Sequence, residues 1–248
     1  MKKSLKVAVL LLSCLWLGAL NAAEVSVLSI HFPPFSMKED NEFIGLCTDV
    51  IQTILKKANV ASTFQNVPLV RATQITKSQP NVIVYPVTIM QEYTKDILFV
   101  GPIVEEDWVL FTTDSGDVNI KSEKEVTGLK VGALRGSEFG AYLKTLGAAV
   151  EEIAEDGNNA KKLKERRIQA WGTGSLVGPY LAYMEDIGKI KELFRWKKAQ
   201  LFFGISKTTE PDALAKIQQA FEELKNDGSL LKMQDEYAKR FALFMSNT

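Results

Sequence analysis

The sequence predicts an α/β protein built from two similar units, and three observations predict it. Apolar segments of strand length alternate with segments of helical periodicity along most of the chain. Such alternation implies a mostly parallel sheet covered by helices. The same alphabet is then written a second time, after the polar stretch Thr112 to Lys124. About 225 residues follow the first 23, enough for two domains of ordinary size.

The N-terminus reads as a leader. Lys2, Lys3 and Lys6 precede an apolar run from Val7 to Leu20, and small residues follow at Ala22 and Ala23. That is the layout of a secretory signal peptide. The run is shorter than the ~20 residues a membrane-spanning helix needs. Cleavage is expected after Ala23, although Asn21 is not the small residue that signal peptidases favour. Cys14 sits in the middle of the apolar run, which argues against a lipid anchor. The whole chain carries 30 basic and 30 acidic residues. Residues 1 to 23 hold three lysines and no acid, so the remainder carries a net charge of about −3. Nucleic acid is not an expected partner. Cys47 is then the single thiol, which excludes an intrachain disulfide, and it reads as a small buried apolar residue. His31 is the only histidine. Neither a histidine metal cluster nor a triad built around it has a supporting motif. No cofactor is expected.

The first unit opens with a strand over Val25 to Ile30, ended by the turn His31-Phe32-Pro33-Pro34-Phe35, whose prolines stop a helix or a central strand. From Leu46 to Ala58, apolar residues at 46, 50, 51, 54 and 55 give the spacing of an amphipathic helix. Lys56 and Lys57 suit its C-terminal end. A short strand over Ser62 to Asn66, a helix from Leu69 and an all-apolar strand over Val82 to Val87 complete the unit.

The second unit has a strand over Leu129 to Leu134. Arg135-Gly136-Ser137 then opens a helix to Leu146, followed by a strand over Val150 to Ile153 and a helix to Arg166. A strand over Ile168 to Trp171 ends in the glycine-rich turn Gly172-Thr173-Gly174-Ser175, before a helix from Gly178 to Met184. The tail holds a strand over Gln200 to Ser206 and a helix over Pro211 to Asn226, with proline in its first turn and Gly228 past its end. A last amphipathic helix spans Leu230 to Phe244.

In their order and spacing, several of these segments resemble the bacterial extracellular solute-binding proteins of family 3, which feed polar amino acids to ABC transporters. The carriers of the resemblance are Phe32 to Phe35, Gly45 to Ala58, Val82 to Pro102, Lys130 to Ser137 and Ala220 to Gly228. Together they span nearly all of the chain after the leader. The resemblance implies a periplasmic binding protein-like fold of type II, with two α/β lobes, a hinge and an interlobe cleft. One lobe would comprise residues 24–111 and 203–248, the other residues 112–202. The chain would cross between them near Phe111 to Asp114 and near Ala199 to Phe203. Closure around ligand is the motion such a design allows.

The resemblance also marks a departure. Where the family's arginine grips a ligand carboxylate, this chain has Tyr93; where its aspartate takes the ammonium, this chain has Gly174. A zwitterion is costly to bury with its charges unpaired. Arg71, in Pro68-Leu69-Val70-Arg71-Ala72, resembles the arginine of a divergent branch and is a candidate contact for an anionic group; the alternative is a solvated helix-face arginine. Arg135, Gly136 and Ser137 lie where a strand passes into a helix, so free N–H groups face any anion in a cleft there. Ser137 also suits a helix cap. Phe35 is expected to wall the ligand or fill the core. Pro86 and Thr88 stand at the C-terminal end of a buried strand, where open α/β sheets place ligands. Trp108 and Trp171 read as cleft wall or core. Gly172 and Gly174, with Ser175, allow close backbone approach or form a turn.

The expected activity is capture of a small polar ligand, amino acid-like or an organic acid, by a monomer that presents it to an inner-membrane ABC permease. A sensory protein working with a signalling partner is the alternative. Catalysis on the same fold would need a tuned acid or base in the cleft. Glu42, Glu92 and Glu138 lie near cleft loops, but no paired-carboxylate or nucleophile motif points to them, and no catalytic residue is assigned.

Overall fold

A computed structural model describes residues 24–114, 116 and 118–246. The expected leader and its cleavage site lie outside the described residues. The strands are β1 (Val25–Ser29), β2 (Met37–Glu39), β3 (Glu42–Ile44), β4 (Ser62–Asn66), β5 (Val82–Val87), β6 (Ile97–Thr113), β7 (Lys130–Leu134), β8 (Ala149–Ile153), β9 (Ala170–Gly174) and β10 (Ile190–Ser206). The helices are α1 (Leu46–Ala58), α2 (Leu69–Ser78), α3 (Glu138–Thr145), α4 (Gly157–Lys164), α5 (Val177–Met184), α6 (Pro211–Asn226) and α7 (Ser229–Ser246).

One eight-stranded sheet runs through the molecule in the order β4-β1-β5-β10-β6-β9-β7-β8. One half holds β4, β1 and β5, parallel to one another, with α1 packed on α6 and α7. The other holds β9, β7 and β8, again parallel, with α3, α4 and α5 on its faces. Joining them are β6 and β10, each 17 residues long and antiparallel to each other. At ~3.3 Å per residue such a strand spans ~55 Å, long enough to cross both halves.

The expected parallel sheet is present within each half, where β1 pairs with β4 and β5, and β7 with β8 and β9; the short strand expected over Gln200 to Ser206 is longer. The strand begins ten residues earlier, at Ile190, and β10 is antiparallel to β5 as well as to β6. Lys191, Glu192 and Arg195 face solvent on this part of the strand, so it lacks the continuous apolar run of a buried strand. β6 also continues through Trp108 to Phe111, which pair with β9. Phe111 is therefore already paired into the second half, and the strand runs on unbroken to Thr113.

Within the halves, α1, β4, β5 and α6 have the expected bounds. α1 ends at Asn59, whose left-handed backbone (φ 52°, ψ 45°) closes the helix. It buries Leu46, Val50, Ile51, Ile54 and Leu55 on its core side. Pro86 sits inside a central strand without loss, because the β5 to β10 register shifts there and no N–H is demanded of it. The Gly172 to Gly174 segment, expected as a turn, is instead the end of β9. A Cβ at Gly172 would stand 2.5 Å from Leu143 Cδ1 and one at Gly174 would collide with the Glu106 carboxylate, so close neighbours explain glycine inside this strand.

Candidate functional site

Where the two halves face each other, the C-terminal end of β5, the start of α3 and the end of β9 converge on a cleft bridged by β6 and β10. Its free space is about 70 Å³. One water needs ~10–15 Å³, so the space holds only a small group unless the halves part. The first half contributes Phe32, Leu69, Pro86, Thr88 and Met90 to the wall, and the second contributes Gly136, Ser137, Phe139, Thr173 and Gly174. From the crossing strands come Glu106, Trp108 and Leu201.

Most of this wall is apolar. The Trp108 indole is stacked on Phe139 at 5.0 Å between centroids and 11° between planes. Trp108 is 8 % exposed, so it serves both as wall and as the edge of the aromatic core that includes Val131 and Trp196. Trp171 is fully buried and belongs to the core alone.

Two buried carboxylates interrupt the apolar lining. Glu106 on β6 is 5 % exposed, and burial pushes its pKa up to about 8 against the opposing pull of the Leu176 and Val177 backbone N–H groups. The Leu176 N–H donates to Oε2 at 3.4 Å. The carboxylate lies over Gly174: a Cβ there would stand within bonding-clash distance of both oxygens. Asp156, just before α4, is 2 % exposed. Its Oδ1 accepts from Trp171 Nε1 and Asn159 Nδ2, each at 2.9 Å, and its Oδ2 accepts from Thr173 Oγ1 at 2.6 Å. Burial raises its pKa, and these three donors oppose the rise. Among the described residues, no arginine, lysine or histidine lines the cleft. Among the described residues, no group of three or more histidine, cysteine or acidic side chains is placed to hold a metal ion.

Of the sequence candidates, Pro86, Thr88, Trp108, Gly136, Ser137 and Gly174 are brought together on the cleft wall. Ser137 also caps α3, its Oγ accepting from the Gly140 N–H at 3.0 Å. The other five lie elsewhere. Phe35 is buried, with Phe32 stacked beside it at 6.1 Å, and faces a second groove beneath α7. Arg71 is on the exposed face of α2, because the buried face of that helix is taken by Ala72, Thr73 and Thr76. Tyr93 lies beyond Met90, with the Lys77 ammonium 5.4 Å above its ring. The Arg135 guanidinium turns outward and donates to the Glu152 carbonyl at 3.2 Å. Ser175 ties two strands together, its Oγ accepting from the Asp107 N–H at 3.2 Å.

Sequence reasoning missed Glu106, Asp156 and Phe32. Phe32 lay within a motif already singled out, one proline pair away from Phe35. Glu106 belongs to Glu105-Glu106-Asp107, which reads as a solvated charge run until β6 is known to be a central strand that turns alternate residues inward.

A model of the family described as bacterial extracellular solute-binding proteins, family 3, matches residues 25–240. No curated protein matches. Among solved structures, an ancestral arginine-binding protein bound to arginine is similar, with 25% identity and a TM-score of 0.76, covering 86% of this chain and 97% of that one. A histidine kinase sensor domain with similarity to periplasmic binding proteins shares the fold at 13% identity and a TM-score of 0.78, over 86% of this chain and 95% of its own. An ancestral amino acid-binding protein, a precursor of cyclohexadienyl dehydratase, does so at 20% identity and a TM-score of 0.74, covering 86% and 94%.

Proposed function

Because this chain belongs to the bacterial extracellular solute-binding proteins, family 3, we propose that it is a periplasmic receptor that captures a small polar ligand between its lobes and presents it to an inner-membrane ABC permease. The observation that carries this reading is the cleft itself. Both halves line it, and among the described residues β6 and β10 are the strands common to both, so ligand contacts from two bodies are made together only when the cleft is shut. We place the lobes at residues 24–111 with 203–248 and at 112–202, hinged along the two crossing strands, with Trp108 to Phe111 at the end of the first span pairing with β9 of the second lobe. The leader directs the chain to the periplasm, where it works as a monomer.

The reading is one of binding. An ancestral amino acid-binding protein that is a precursor of cyclohexadienyl dehydratase shares the fold, and a catalytic reading would have to use the buried acids Glu106 and Asp156; membership of a solute-binding family favours binding. A sensory role is the second reading, favoured by the kinase sensor domain that shares the fold.

The test is small-angle scattering of the leader-free protein with and without compounds that raise its melting temperature. A ligand at 100 times its dissociation constant adds ~2.7 kcal/mol of stability. A stabilising compound that also contracts the particle supports closure, and stabilisation with an unchanged profile overturns it. Co-purification with a permease would favour transport over sensing.

A further inference from the structure

Among the described residues, every formally charged side chain on the cleft wall is acidic: Glu106, Glu138 and Asp156. Neither half of an amino acid clamp stands at its usual place, for Tyr93 lies outside the cleft and position 174 is glycine. The absence of a side chain at 174 has a positive counterpart. Glu106 reaches across from β6 and fills the volume that residue 174 leaves empty. An acid is thus retained at this point of the wall, delivered from a different strand, whereas nothing on the wall replaces a cationic partner for a carboxylate.

We propose that the cleft takes a small ligand that carries a protonated amine and no carboxylate, with Glu106 and Asp156 as its charge partners and Trp108 against its apolar part. The inference rests on the reading of the cleft as the ligand site. Lone-pair capacity fits it. A carboxylate offers about four acceptor positions; three at Asp156 are taken by Trp171, Asn159 and Thr173, which leaves one on Oδ2. Among the described residues, Glu106 accepts from backbone N–H groups and has no cation beside it. An ammonium has three donors and no acceptor, so it matches two carboxylates that still have room to accept. The aromatic face of Trp108 adds attraction for a cation in a dry site. A carboxylate in the same place would meet two buried acids and no guanidinium, at a high desolvation cost. The small free volume favours a compact amine.

Burial keeps Glu106 largely protonated near neutral pH. An entering ammonium would displace that proton, so binding releases a proton to the buffer. The groups that bear on Glu106 are Asp156 before α4 and Asp107 beside it on β6, and the buried Cys47 thiol at the start of α1 lies within its field.

The experiment is a thermal-shift and calorimetric comparison of the leader-free protein with butylamine, 1,4-diaminobutane, butyramide, butyrate, 4-aminobutyrate and the twenty L-amino acids. The expected result is stabilisation by the amines alone. Calorimetry in buffers of different ionisation enthalpy should then show proton release. Glu106→Gln keeps the side-chain shape and the backbone hydrogen bonds; it should fold, shown by an unchanged circular dichroism spectrum, and lose about tenfold or more of amine affinity. Equal binding of butyramide and butylamine overturns the inference, as does unchanged amine affinity in Glu106→Gln. Stabilisation by L-amino acids or butyrate overturns it while leaving the cleft as the ligand site. No stabilisation by any compound, together with an unchanged scattering profile, overturns both readings.

Discussion

Val70 of α2 and Gly136 at the mouth of α3 meet across the cleft: a Cβ on Gly136 would stand 2.6 Å from Val70 Cγ2. Gly136 also has a left-handed backbone, φ +75°. The two halves therefore close on a residue that has no side chain, and the fit is made by what is missing.

Gly136→Ala should strain the backbone, at a cost of about 1–2 kcal/mol, and should also hold the halves apart. Scattering of the variant with ligand is expected to stay at the open dimensions. Adding Val70→Ala removes the obstruction without touching the backbone, so the double variant should close again while keeping its lower melting temperature. If the double variant stays open, the Val70 contact does not limit closure.

Glu106 gives a pH dependence whose sign is fixed. Its folded value of about 8 lies above the ordinary 4.5, so the folded state holds the proton more tightly than the unfolded chain. The associated stability is fully present below pH ~4.5 and is lost as the pH rises through ~8. Asp156, also raised by burial, has the same sign. His31, lowered by burial against the fields of Glu155, Glu185 and Asp156, has the opposite one. Comparison with Glu106→Gln cancels both, since they are present in each protein. Without ligand, the variant is expected to gain melting temperature relative to the parent as pH goes from 5 to 9. Parallel melting curves across that range would show that Glu106 titrates normally.

Much of the fold is legible in the sequence, and the reason is periodicity. α1 and β5 are buried along one face and on both faces respectively, so their apolar residues mark their ends closely. β10 fails the same test because Lys191 and Glu192 are exposed on it, and a strand that faces water reads as polar loop. The site was legible only in part. Gly136 and Ser137 could be placed because a strand-to-helix junction is a local feature. Glu106 and Gly174 are 68 residues apart in sequence, and their exchange of roles depends on β6 lying beside β9, which no local pattern encodes. Arg71 and Arg135 were chosen for their chemistry, and chemistry alone does not say which way a side chain turns.

Cys47 is wholly buried at the start of α1. Burial, with the field of Glu106, drives its thiol far above the ordinary range. Since the thiolate is the reactive form, Cys47 should resist a disulfide-exchange reagent such as dithiobisnitrobenzoate in the folded protein and react at once in denaturant. Rapid labelling of the native protein would mean that α1 opens locally.

The last helix is tied down by Gln234 Nε2 donating to the Ile103 carbonyl at 2.5 Å and by Tyr237 Oη donating to Asp49 Oδ2 at 2.6 Å across to α1. The Tyr237 hydrogen bond is charge-assisted and half-buried. Tyr237→Phe should cost about 1.5–3 kcal/mol and be read in the urea midpoint. An unchanged midpoint would mean that the Tyr237 to Asp49 contact adds nothing beyond the apolar face of α7 and its Gln234 bond.

Gly174 and Glu106 should behave as one unit under mutation. A methyl group at 174 collides with the Glu106 carboxylate, and overpacking of this kind costs about 1–3 kcal/mol. Glu106→Ala by itself leaves an empty space over Gly174 and strips the Leu176 N–H of its partner, which costs about 1–3 kcal/mol as well. In the double variant the new methyl occupies part of that space, so the two losses should sum to more than the double loss, with a coupling of about 1 kcal/mol or more. Additive losses in chemical denaturation would mean that the backbone at β9 shifts to relieve the single variant. In that case the acid on β6 and the glycine on β9 are neighbours by chance, and the exchange of roles between the two positions loses its physical basis.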